Sequence, residues 1–130
     1  MSHPFLLPMA AHVALAALLY AALTVARAPK VWGIGRRADG ANPFAAIEPR
    51  LSANLSNQFE WPLFFHVACL LMPSASDTAL VLAWAFIAGR VLHSAVQVFT
   101  ANVRLRGLVF MLNFVAVLGL WALLVAAALR

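Results

Sequence analysis

The sequence predicts an all-α integral membrane protein: a four-helix bundle, one domain over residues 1–130. Three observations carry that expectation. The chain is 65% hydrophobic and 10% charged, with a mean hydropathy of +0.92, whereas soluble domains are about 45–50% apolar and about 25% charged. Four stretches approach the roughly 20 apolar residues that a spanning helix needs. The basic residues are crowded into two of the three connections between those stretches.

The first span is expected from Pro4 to Ala26, with His12, Tyr20 and Thr24 as its polar members. It is too long for the core of a signal peptide and lacks a basic leader, so it reads as a retained span. The second runs from Leu51 to Met72 and changes character midway. Its first half carries Ser52, Asn54, Ser56, Asn57, Gln58 and Glu60, and its second half is apolar. The third runs from Ala79 to Phe99, with Ser76 or Asp77 as its cap. The fourth runs from Gly107 to Leu129 and has Asn113 as its polar member. Backbone groups left unpaired in lipid are costly, so spans of this kind are helical. A β-barrel would show short alternating segments instead.

Charge gives the direction. Arg27, Lys30, Arg36, Arg37 and Arg50 flank the first connection, and Arg104 and Arg106 sit in the third. That is seven of the nine basic residues. The connection "PSASD" has none. The positive-inside rule places both basic connections in the cytoplasm and both termini outside it, as in a bacterial inner membrane. The first connection, with three Gly and two Pro in "RAPKVWGIGRRADGANPF", reads as loop. Its Trp32, Ile34 and Phe44 suit contact with headgroups, and Asn42-Pro43 could open a helix. The lone Cys69 excludes a disulfide within one chain. "GIGRR" lacks the strand-to-helix setting of a nucleotide loop, His and Cys are too scattered for a metal site, and the basic charge reads as membrane topology rather than a nucleic-acid surface.

Two polar stripes remain. Residues in a helix advance by roughly 100°, which puts His93 at about 300°, Gln97 at about 340° and Arg104 at about 320° from Arg90, if the third helix continues past Phe99. From Arg50, Asn54 falls at about 40°, Asn57 at about 340° and Glu60 at about 280°. Polar groups at membrane depth face a bundle interior or a wet cavity, so the two stripes should meet, with Glu60 and Arg90 as a structural ion pair. His66 lies on the other face and reads as packing or an oligomer contact, while His12 stands alone without a role.

These residues resemble the MAPEG family, the membrane-associated proteins of eicosanoid and glutathione metabolism. The likeness rests on Arg50 followed by "NQFEWP" at 57–62, and on Arg90, His93, Gln97 and Arg104 at the family's spacing in the third helix. The "RVLHSAVQ" form is similar to a bacterial branch. The resemblance implies left-handed four-helix bundles assembled as homotrimers, with glutathione bound between subunits near the cytoplasmic face. It places Arg50, Asn57, Glu60, His93 and Gln97 in the glutathione pocket and Arg104 beside the sulfur, as the catalytic residue. A cation there lowers a thiol's pKa, so the thiolate can attack a lipophilic electrophile or reduce a hydroperoxide. The chain departs from the family at Ala53, Trp61, His93 and Gln97, where the human enzymes have Arg, Tyr, Tyr and Tyr. The second reading is therefore a non-catalytic lipid-binding or structural trimer of the same fold. A small four-helix drug exporter is disfavoured, because the first span lacks an acidic residue.

Overall fold

The computed structural model describes residues 3–130, and its described residues form helices and connecting turns. The elements in chain order are α1 (Leu6–Val31), α2 (Glu48–Asn57), α3 (Pro62–Leu71), α4 (Asp77–Phe99) and α5 (Val103–Ala128). Helices α1, α4 and α5 are each long and apolar enough to cross a membrane. The remaining place in the bundle is filled by α2 and α3 together. Three of the four expected spans are single long helices, and the second is divided between α2 and α3.

The first helix continues five residues beyond Ala26, through Pro29, to Val31. Its far end is held from the loop: Arg36 Nε donates to the carbonyl of Pro29 at 2.7 Å, and Asn42 Nδ2 donates to that of Ala26 at 3.1 Å. Pro29 is among the last four residues of the helix, whose carbonyls lack intrahelical partners. The buried stripe of α1 is Pro8, His12, Leu19, Leu23, Ala26 and Pro29, while Leu7, Val13, Leu18 and Val25 face outward. In a bilayer that outward surface meets lipid.

The second span is broken. After Asn57 the amides of Gln58 and Phe59 bond only three residues back, to Leu55 and Ser56, which is the tightened last turn of a helix that is ending. Pro62 has no N–H to return to the preceding turn and opens α3 at its first position. Asn42 does not cap a helix at Pro43. Its Oδ1 accepts from the amide of Phe44 at 2.9 Å in a local turn, and α2 begins later, with Pro49 in its first turn.

The third span ends at Phe99 as expected, and Ser76 caps its start by accepting from the amide of Ala79 at 3.2 Å. It does not continue to Arg104. Thr100 is extended, and Asn102 caps α5 by accepting from the amide of Leu105 at 3.0 Å. The fourth span thus starts at Val103, and Arg104 stands in its first turn.

Helix α4 is the axis of the packing, with α1, α2 and α5 all against it. Two apolar cores flank a polar middle. One gathers Phe5, Phe65, Ala68, Cys69, Phe86, Val117 and Leu120, with Phe65 and Phe86 stacked at 4.1 Å. The other gathers Leu19, Leu23, Leu51, Leu55 and Val98. Along α1 and α4, His12, Arg90 and Ser94 fall between these clusters, and all three are buried.

Candidate functional site

The polar middle is one connected network with Gln58 at its hub. Gln58 Oε1 accepts from Arg90 Nε at 3.2 Å and lies 3.0 Å from His12 Nε2. Gln58 Nε2 donates to the carbonyl and side-chain oxygens of Asn54 and to Ser94 Oγ, each at 3.2 Å. His12 Nδ1 is 3.0 Å from His66 Nε2. On the other side, Asn54 Nδ2 and Asn57 Nδ2 both donate to Gln97 Oε1, at 2.9 and 3.0 Å. The chain of contacts thus runs from α3 through α1 and the end of α2 into α4. Buried polar groups are costly without partners, and here they supply one another.

The sequence-expected residues separate into three groups. Asn57 and Gln97 do meet, joined by Asn54, so the stripes of the second and third spans face each other in that stretch. Glu60 and Arg90 are not an ion pair. Arg90, 1% exposed, is held by Gln58 and by the carbonyl of Asn57 at 3.2 Å, while Glu60 is exposed in the break between α2 and α3. Among the described residues the ion pair formed is Arg27 with Glu48, at 2.8 Å. The helical angle assigned to Glu60 assumed a continuous helix, and the chain leaves that helix before it. His93 is buried on α4 beside Phe110 of α5, at 5.9 Å between rings, and its Nδ1 has no hydrogen-bond partner. It therefore turns toward the α4–α5 seam and away from Asn57. On that seam Asn113 is fully buried, and its side-chain oxygen and nitrogen are likewise without partners. A Cβ on Gly89 would collide with that oxygen.

The basic end of the bundle holds a groove of about 200 Å³ between the start of α2 and the α4–α5 turn. Arg50, Ala53, Gln97, Thr100, Asn102 and Arg106 line it. Arg104 does not; it is exposed on the outer side of the first turn of α5. The register shift explains the exchange. With the helix restarted at Val103, Arg106 takes the inward position that a continuous helix would have given Arg104.

Sequence reasoning gives no site role to Gln58 or Ser94, reads His66 as packing or an oligomer contact, and leaves His12 alone, whereas His12 bonds both Gln58 and His66. Gln58 was findable, because it follows Asn54 by one helical turn on the same buried face. His12 and His66 carry no local signal. Only the packing of α1 against α3 brings them together.

A helical bundle with three long apolar helices, a bonded polar middle and a cationic groove at one end is that of an integral membrane protein. A family model described as MAPEG family matches residues 5–126, nearly the whole chain. The chain belongs to the MAPEG family. Comparison with curated proteins and with solved structures found no match.

Proposed function

We propose that this protein is a glutathione-dependent transferase or peroxidase acting on lipophilic electrophiles at the cytoplasmic side of a bacterial inner membrane. The observation that carries the reading is the groove with two arginines, Arg50 and Arg106, and the amide of Gln97 in its wall. That donor set suits an anionic tripeptide: guanidinium groups pair with carboxylates in fixed fork geometry, and the amide serves a peptide group. Glutathione supplies the thiol. Arg106, in place of Arg104, is the cation that would hold the sulfur as thiolate, with Arg50 opposite it for a carboxylate.

The groove is smaller than the roughly 300–1,000 Å³ of ordinary small-molecule sites. A homotrimer, in which a neighbouring copy completes the wall, fits this shortfall and the family. The second substrate, being lipophilic, would arrive laterally from the bilayer. A specific observation favours the second reading, a non-catalytic lipid-binding trimer. Gln97 Oε1 already accepts two hydrogen bonds from Asn54 and Asn57, so part of the expected pocket is spent on the protein itself.

Thiolate absorbance on adding glutathione to the purified protein separates the two. The enzyme reading expects a thiolate signal at neutral pH that Arg106→Ala abolishes and Arg104→Ala leaves. Turnover of a model electrophile should fall by roughly 10²–10³ in Arg106→Ala, the scale of a lost donor to a developing anion. No thiolate in the wild type would sink the enzyme reading. A signal lost in Arg104→Ala alone would return the role to Arg104.

A further inference from the structure

A second cavity lies away from the basic end, between α1 and the broken second pass. Its volume is about 350 Å³. From α1 it is lined by Val13, Ala16, Ala17 and Tyr20, a single stripe at helical spacing. The two alanines leave the hollow, and the break after Asn57 opens the facing wall at Phe59 and Leu63. Val13, Tyr20, Phe59 and Leu63 are all more than half exposed, so the cavity opens sideways on the outer face of the bundle. Its inner wall is His12, Gln58 and His66. Among the described residues no charged side chain lines it.

The network fixes what that wall offers. Arg90 Nε can only donate, so the Gln58 atom beside it is the oxygen; the Asn54 carbonyl can only accept, so the other is the amide nitrogen. The same oxygen faces His12 Nε2, which must therefore carry the hydrogen. A neutral His12 then presents a lone pair at Nδ1, and His66 Nε2 carries the hydrogen between them. A neutral His66 is left with a lone pair at Nδ1, for which no partner is formed among the described residues. His66, a lining residue of the cavity, thus carries an acceptor set by a relay from Arg90 through three side chains.

We propose that this cavity is a binding site for a neutral lipophilic molecule with a single hydroxyl head, such as a fatty or isoprenoid alcohol, whose O–H donates to His66 Nδ1. The absence of charge among the described lining residues disfavours a carboxylate or phosphate head. The site is separate from the basic groove, and its occupancy does not require glutathione.

The test uses the full chain in lipid nanodiscs with a diazirine-bearing hexadecanol as probe. Photolabelled peptides should map to 13–20 and 59–66. Unlabelled hexadecanol should displace the probe about fivefold better than hexadecyl methyl ether, the scale of one net hydrogen bond. Ala16→Phe, which fills the hollow, should remove the labelling. His66→Phe should keep labelling and lose the preference for alcohol over ether. Labelling spread evenly over the lipid-facing helices, equal displacement by alcohol and ether, or survival of the label in Ala16→Phe would overturn the proposal. So would crosslinks from the 13–20 stripe to a second copy of the chain with no probe incorporated.

Discussion

The polar middle of the bundle and the groove at its basic end use similar residues to opposite effect. In the middle, Gln58 is hydrogen-bonded to His12, Asn54, Ser94 and Arg90, and Arg90 also donates to the carbonyl of Asn57. At the basic end, Arg50 and Arg106 line open space and form no ion pair among the described residues. Charge that is enclosed and answered holds helices in register. Charge that is exposed and unanswered is available to a ligand. Gln97 stands at the border, with its oxygen in the first region and a place on the wall of the second.

Removing the hub should break the comparison most visibly. Gln58→Leu leaves the Arg90 guanidinium and the His12 ring without their shared acceptor. A buried group left without its hydrogen-bond partner costs about 1–3 kcal/mol, and more where that group is charged. Thermal unfolding in detergent should show a large loss of stability, and Glu60→Gln, two residues away in the exposed break, should stay within about 0.5 kcal/mol of wild type. Equal effects of the two would restore Glu60 as the partner of Arg90.

A smaller effect is expected next to the network, on the α4–α5 seam. Gly89→Ala forces a methyl group onto the Asn113 side chain, and overpacking of this kind costs about 1–3 kcal/mol. Asn113→Ala in the same chain removes the obstacle, and with it the unpartnered amide. The double variant should therefore be more stable than Gly89→Ala alone. Additive losses in a thermal melt would place the strain elsewhere.

The smallest effect belongs to the basic end. Arg27 and Glu48 tie α1 to α2 with both groups reachable by water, and such pairs contribute about 0–1 kcal/mol. Arg27→Ala should lower the melting temperature slightly, and added salt should shrink the difference. A loss as large as that from Gln58→Leu would mean that the two regions are not mechanically distinct.

The sequence made the membrane class, the positions of the apolar runs and the meeting of Asn57 with Gln97 legible, because composition and helical spacing act locally. It misplaced Glu60 and Arg104 for one reason. Both lie just past a point where the chain leaves its helix, and every angle counted across such a point is void. Pro62 and Asn102 were visible signals, a helix opener and a cap, outweighed by the length of the apolar runs. The pairing of His12 with His66 spans 54 residues, and nothing in either neighbourhood announces it.

The interruption at Gln58–Trp61 also bears on how the chain enters its membrane. An apolar helix of 20 or so residues can partition on its own as it leaves the ribosome. Neither α2 nor α3 can: each has 10 residues, about 15 Å of helix, and α2 is polar along much of its length. Their amides and carboxamides become tolerable in hydrocarbon only once Gln97, Ser94 and Arg90 of α4 are beside them. Stable insertion of the second pass is therefore expected to wait on the helices on either side of it, α1 and α4, so that the order of synthesis is not the order of commitment.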